Sequence, residues 1–214
     1  MNFDPVLLAS ARSDEELMER IENRQKYMPE TIELSLEELQ RRGKQFTPDE
    51  LQYIREDVAA RRKNAATAIN RLSLFNSDFK YTIVQDPDAP SLYSRRVIYI
   101  FTVFMSALFG SIMMAININK TNRKGVLPVL LFGLAFTTVQ IFIGQLIIKD
   151  SPTLFALVCG MISAYCLNYF FWNKYIGNTT FYRVKMAWGP LAVTIVIFGL
   201  LILIFAMSKS LPAN

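Results

Sequence analysis

The 214-residue chain contains no histidine and two cysteines, and its last 118 residues hold a single acid, Asp150. The absence of histidine removes the side chain that most often acts as a general base near neutral pH and as a metal ligand. Two cysteines are too few for a structural zinc site. No phosphate-cradling glycine loop, nucleophile elbow or zinc-ligand spacing occurs. These gaps weigh against most enzyme chemistries, and no cofactor is expected.

What is present is unevenly divided. Hydrophobic residues make up 52% of the chain and charged ones 19%. Residues 1–96 hold 15 of the 23 Lys+Arg and 17 of the 18 Asp+Glu, a net charge of −2. The remainder holds eight bases and Asp150, a net charge of +7. The overall +5 therefore comes from an apolar half and its loops, a distribution that does not call for a nucleic-acid partner.

Four stretches carry no charge: 97–116, 126–148, 153–172 and 188–208. Each has about the 20 residues a helix needs to cross a hydrocarbon layer about 30 Å thick. Backbone groups cannot stay unpaired in lipid, so each stretch is expected to be a helix. Tyr93, Arg95 and Arg96 before the first stretch, Tyr169 to Trp172 and Tyr175 around the end of the third, and Trp188 at the fourth suit the headgroup region. The expected fold is all-α: a helical headpiece over 1–75, a linker over 76–96, and a four-helix transmembrane domain over 97–214.

Four crossings would put both termini on one side. The bases then divide five against six: Lys80, Arg95, Arg96, Lys149 and Lys209 on the terminal side, and Lys120, Arg123, Lys124, Lys174, Arg183 and Lys185 on the other. That near-tie decides little. The N-terminus shows no basic region followed by a long apolar core, so nothing is expected to export a head with 32 charges. Both termini are expected in the cytoplasm.

Within the headpiece, Ser13-Asp14-Glu15-Glu16 fits a capping box, followed by Leu17, Met18 and Ile21 on one face. Pro29 and Glu30 open a second helix that Arg41, Arg42 and Gly43 close, with Ile32, Leu36 and Leu39 facing inward. Thr47-Pro48-Asp49-Glu50 opens a third, expected to reach about Leu72, with Leu51, Ile54, Val58, Ala65, Ile69 and Leu72 along one seam. Asp86-Pro87-Asp88-Ala89-Pro90 reads as a turn or linker, and Phe79 to Val84 as a short strand.

The runs Ser13 to Leu17 and Tyr27-Met28-Pro29-Glu30 through Gly43, with Phe109-Gly110, Ala115-Ile116-Asn117 and Phe171-Trp172-Asn173-Lys174-Tyr175-Ile176-Gly177, form a recognisable pattern. It resembles a loosely defined group of uncharacterised bacterial four-span membrane proteins with a short helical N-terminal headpiece. The resemblance implies a bacterial inner membrane and carries no activity with it.

Thr137, Thr138, Gln140, Gln145 and Asn168 are uncharged polar residues within the expected spans, placed either to line a pore or to bond neighbouring helices. Ser106 with Gly110, and Ala156, Gly160 and Ala164, space small residues four apart on faces suited to close helix packing or to an oligomer contact. Arg61, Arg62 and Lys63, with Arg95 and Arg96, are candidates for contact with anionic lipid headgroups. Asp150, Ser151 and Tyr175 would be the only interface groups for chemistry on lipid. The leading expectation is a non-enzymatic, membrane-anchored interaction, scaffold or regulatory module. Its partners would be the lipid bilayer and either another protein or a second copy bound through the headpiece. The alternative is a homo-oligomeric channel or permease for a small solute, with Thr137, Gln140, Gln145 and Asn168 facing a shared pore.

Overall fold

The computed structural model describes residues 5–67, 81–146 and 152–210. The chain is mostly helical: α1 (Pro5–Ser10), α2 (Asp14–Glu22), α3 (Pro29–Arg41), α4 (Pro48–Thr67), α5 (Arg95–Phe104), α6 (Ala107–Thr121), α7 (Val126–Leu146), α8 (Pro152–Cys166), α9 (Asn173–Tyr175) and α10 (Trp188–Ser210). A π-helical stretch, Leu167–Trp172, joins α8 to α9. Two short strands, β1 (Ser91–Leu92) and β2 (Arg183–Val184), pair in parallel. The chain divides into two compact units. The first comprises Met1–Leu92, Ile116–Gly125 and Phe170–Val184, and the second Tyr93–Ala115, Val126–Tyr169 and Lys185–Asn214.

In the first unit the helix starts and stops follow from local chemistry. Ser13 Oγ accepts the Glu16 N–H at the head of α2, and Thr47 and Glu50 bond reciprocally at the head of α4. Gly43 takes φ +91°, a left-handed conformation that costs glycine little, so the Lys44 N–H can bond back to the Leu39 carbonyl and close α3. Leu17 and Ile21 of α2, Ile32, Leu36 and Leu39 of α3, and Ile54 and Val58 of α4 then share one core, with Met18, Tyr27, Phe46 and Leu51 at its edge. Burying each large aliphatic side chain contributes about 2 kcal/mol. Ile69 and Leu72, at the far end of the expected seam, lie outside the described residues.

Of the segment expected as a linker, residues 81–92 are part of this unit, and Tyr93 to Arg96 belong to the second. Val84 and Ala89 are buried with Ala65 and Phe181 in a second small core. The Val84 N–H donates to the Tyr182 carbonyl, the Tyr182 N–H to Thr82, and the Arg183 N–H to Pro90. Residues 82–84 and 90–92 are thereby laced to residues 182–184. Of the strand expected over 79–84, Ile83 forms a single parallel bridge to Tyr182, while Phe79 and Lys80 lie outside the described residues.

The second unit is apolar. Two helices, Arg123–Leu146 and Thr153–Tyr175, are long and apolar enough to cross a membrane. Apolar surface is exposed along this unit: Leu127, Leu131, Leu134 and Phe142 of α7 are each more than half exposed, as are Leu154 of α8 and Ile195, Val196 and Leu200 of α10. Monomeric soluble proteins rarely leave apolar surface on this scale in water.

The largest departure from expectation is at residues 97–116, where one membrane-crossing helix was anticipated. The chain forms α5, breaks at Met105 and Ser106, and resumes as α6. Phe101 of α5 stacks on Phe109 of α6 with ring centroids 5.5 Å apart, and a Cβ added to Gly110 would lie only 1.8 Å from Thr102 Oγ1. Residues eight apart in one straight helix are separated by about 12 Å along its axis. The run is therefore a helical hairpin. In the first unit, correspondingly, Lys120 Nζ donates to the Ser91 carbonyl at 2.7 Å, which brings the two feet of the hairpin together.

Candidate functional site

Three side-chain arrangements stand out. The first is a clasp around Asp86, a fully buried residue. Pro29 opens α3 while Met28, its N-cap, has no side chain able to cap it. Asp86, 58 residues downstream, does so instead: its Oδ2 accepts the Met28 N–H at 3.0 Å and the Thr31 hydroxyl at 2.6 Å, and its Oδ1 accepts the Asp88 N–H at 3.0 Å. A negative carboxylate at a helix N-terminus is favoured by the exposed amides and the helix dipole. Asp88 in turn pairs with Arg12 at 3.1 Å and with the buried Arg20 at 2.9 Å. The Asp86-to-Pro90 turn is thus a staple on α2, on α3 and on the turn that joins α1 to α2.

The second is an arginine network. Glu38 accepts from both Arg41 and Arg42 at 2.7 Å, and Arg42 also donates to Asp14 and to the carbonyls of Ser10 and Arg12. The hydrogen bond from Arg41, then that from Arg42, pulls the Glu38 carboxyl down to about 2. The Tyr27 phenol goes the other way, up to about 12, through burial and its 2.6 Å hydrogen bond to the Glu19 carboxylate. Both shifts serve structure, since each group is committed to a neighbour in the headpiece.

The third is the turn of the α5–α6 hairpin. A helix start leaves amides without partners, and in an apolar setting each must be satisfied within the protein. Ser106 Oγ accepts the Phe109 N–H at 3.1 Å, and Thr137 Oγ1, reaching across from α7, accepts the Leu108 N–H at 3.0 Å. Gly160 of α8 admits α5 so closely that a Cβ there would lie 2.9 Å from the Val103 carbonyl oxygen and 3.0 Å from its Cα. Gly133 of α7 likewise accommodates Ser111 of α6.

These arrangements assign work to the residues singled out from sequence. Of the polar set, Thr137 is a helix cap, Thr138 bonds its own helix at Leu134, and Asn168 bonds Ala164 within its own helix. Gln140 is half-buried and Gln145 exposed. Of the small residues, Ser106 caps α6, Gly110 and Gly160 lie at close approaches between helices of the same chain, Ala164 is buried and Ala156 exposed. Arg61 is half-buried and committed within its own unit: it donates to the carbonyls of Arg24 and Tyr27 and lies over the Phe181 ring. Arg62 pairs with Glu33 at 2.6 Å and Glu30 at 3.3 Å. Lys63 and Arg96 are exposed and Arg95 half-buried. Asp150 and Ser151 lie outside the described residues. The Asp86 clasp escaped sequence reading because its partners are 55 and 58 residues away.

No family model matches the chain, and no curated protein or solved structure shows significant similarity to it.

Proposed function

We propose that this chain is a non-enzymatic, multi-pass membrane protein of the bacterial inner membrane. In this reading it presents a helical headpiece to a protein partner, or to a second copy of itself, as a membrane-anchored interaction or regulatory module. The observation that carries the proposal is the contrast in self-sufficiency between the two units. The headpiece closes its own core and holds its buried Arg20, Glu38 and Asp86 in ion pairs or hydrogen bonds, whereas α7, α8 and α10 leave apolar faces bare. Bare helical faces of this length are what a bilayer covers. The engagement of Thr137, Thr138 and Asn168 in hydrogen bonds within the bundle supports an anchoring role over a pore-lining one.

On the headpiece, Tyr53 is 62% exposed and held beneath the Arg24 guanidinium, 4.7 Å from the ring centroid, a rigid aromatic and cationic pair of the kind enriched at protein interfaces. Photo-crosslinking from position 53 in intact cells, with position 63 as an exposed comparison, tests the reading. A discrete adduct from 53 that is lost on Arg24→Ala, together with resistance to alkaline carbonate extraction, is the expected result. Solute flux into vesicles that changes on Gln140→Leu, with no adduct, would replace this reading by the channel.

A further inference from the structure

The hairpin changes how many times the chain crosses a bilayer, and with it the side on which each loop lies. Arms α5, with 10 residues, and the stretch of α6 up to Ile116 each rise about 15 Å, half the hydrocarbon thickness. Non-helical backbone at that depth is tolerated only where protein satisfies it. Protein groups serve the turn in this way, where Thr137 and Ser106 take the Leu108 and Phe109 amides of the first turn of α6 and Ala107 is fully buried. The feet of the hairpin meet at Ser91 and Lys120. The loop residues 121–125 and the end of α9 also come together: Thr121 Oγ1 donates to the Tyr175 carbonyl, and a Cβ on Gly125 would strike the Tyr175 ring. Ser91 is in register with Arg183, just ahead of α10.

Resting on the membrane reading above, we infer that α5–α6 is a re-entrant hairpin that enters and leaves on the cytoplasmic face, so that the chain crosses three times, through α7, α8 and α10. The two loops then join the headpiece in the cytoplasm as a basic collar on the anionic leaflet, and the C-terminus emerges on the opposite side. The distribution of bases, a near-tie for four crossings, becomes decisive. Lys80, Arg95 and Arg96 share a side with the six loop bases Lys120, Arg123, Lys124, Lys174, Arg183 and Lys185, nine in all against Lys149 and Lys209. An excess of that kind marks the cytoplasmic side. Among the described residues, Arg123, Lys124 and Arg183 are exposed and form no ion pair. Acidic lipid headgroups are the complement that a bilayer offers beside helix ends, each base near the surface adding to the attraction.

The test uses the full chain in cells, with Cys159 and Cys166 replaced by alanine and single cysteines introduced as Asn122→Cys, Thr179→Cys or after Asn214. A membrane-impermeant maleimide is expected to label only the C-terminal cysteine until the membrane is opened. Labelling of positions 122 and 179 with protection of the C-terminus would overturn the inference, in favour of either four crossings or a reversed hairpin. Release of the chain by alkaline carbonate would instead overturn the membrane reading on which it rests. For the collar, the Arg123→Gln, Lys124→Gln double variant is expected to lose retained phosphatidylglycerol in native mass spectrometry from mixed-lipid nanodiscs. Unchanged retention in this variant, and in one that adds Arg183→Gln, would remove the lipid contact.

Discussion

Both halves of this molecule start a helix with a side chain borrowed from elsewhere in the chain, and they borrow different chemistry. In the headpiece a carboxylate, Asp86, takes the amide and hydroxyl at the head of α3. In the apolar half a hydroxyl, Thr137, takes the amide at the head of α6. A carboxylate binds such amides more strongly, because the bond is charge-assisted. It is affordable where basic side chains stand near, as Arg12 and Arg20 stand beside the neighbouring Asp88. In a bundle whose described helices carry no acid, a charge would be left unpaired at several kcal/mol, and a neutral cap is the stable solution. Composition thus dictates cap chemistry, and cap chemistry dictates how strongly each helix start is held.

The largest effect expected from breaking this comparison is at the headpiece. Asp86→Ala strands the buried Thr31 hydroxyl and the part-buried Met28 and Asp88 amides, at a cost of about 3 kcal/mol. Hydrogen exchange of the first turn of α3 in the detergent-solubilised chain should then accelerate by about 100-fold, while the amides of α6 keep their protection. Equal acceleration in both would mean that the cap is not a local device.

Next in size is the close packing that holds the hairpin. Gly160→Ala drives a methyl group against the backbone of Val103, which cannot turn aside as a flexible side chain would, and overpacking of this kind costs about 2 kcal/mol. Gly199→Ala meets nothing nearby and should leave the melting temperature unchanged or slightly raised. Thermal unfolding of the two variants side by side measures the difference.

How much of this was visible beforehand depended on the distance over which each interaction acts. Ser13 with Glu16, Thr47 with Glu50, and Gly43 after Arg42 act within one turn, so the helix boundaries they set could be read directly. The Leu17, Ile32, Leu36, Leu39, Ile54 and Val58 core followed from helical spacing. The hairpin did not, because an unbroken apolar run satisfies the criteria for a crossing whether or not it folds back. Its one local signal was Ser106, a good N-cap residue in mid-run, which the spacing of Ser106 and Gly110 disguised as a packing face. Asp86 was hidden among prolines that read as a linker, and Arg61 and Arg62 read as a basic surface until carbonyl and carboxylate partners more than 25 residues distant came into view.

A smaller effect is expected at the other borrowed cap. Thr137→Val keeps the shape and removes the acceptor, which should cost about 1 kcal/mol, since polar contacts between apolar helices are worth little more than this. The readout is exchange at the Leu108 amide. Thr138→Val, one residue on, removes only a hydroxyl that bonds its own helix, and exchange at Leu108 should not change. If the two substitutions behave alike, the cap at the hairpin turn is dispensable and packing against Gly160 alone holds the fold.

The smallest effect is absent at neutral pH and appears only in acid. Glu38 has its carboxyl depressed from the ordinary glutamate range to about 2 by the hydrogen bonds from Arg41 and Arg42. In the unfolded chain it would regain the usual value near 4.5, so between these limits the unfolded state binds more protons. The stabilisation it contributes is therefore complete above pH 4.5 and disappears as pH falls through that value toward 2. Exchange protection of α3 should fall along this window, and Glu38→Gln should flatten the slope. The hairpin and α7 contain no carboxylate to titrate, so their protection should hold over the same range. Loss of protection in both regions at one pH would show that the bundle depends on the headpiece for its fold. Loss in α3 alone would show that the two halves, capped by different chemistry, also fail by different chemistry.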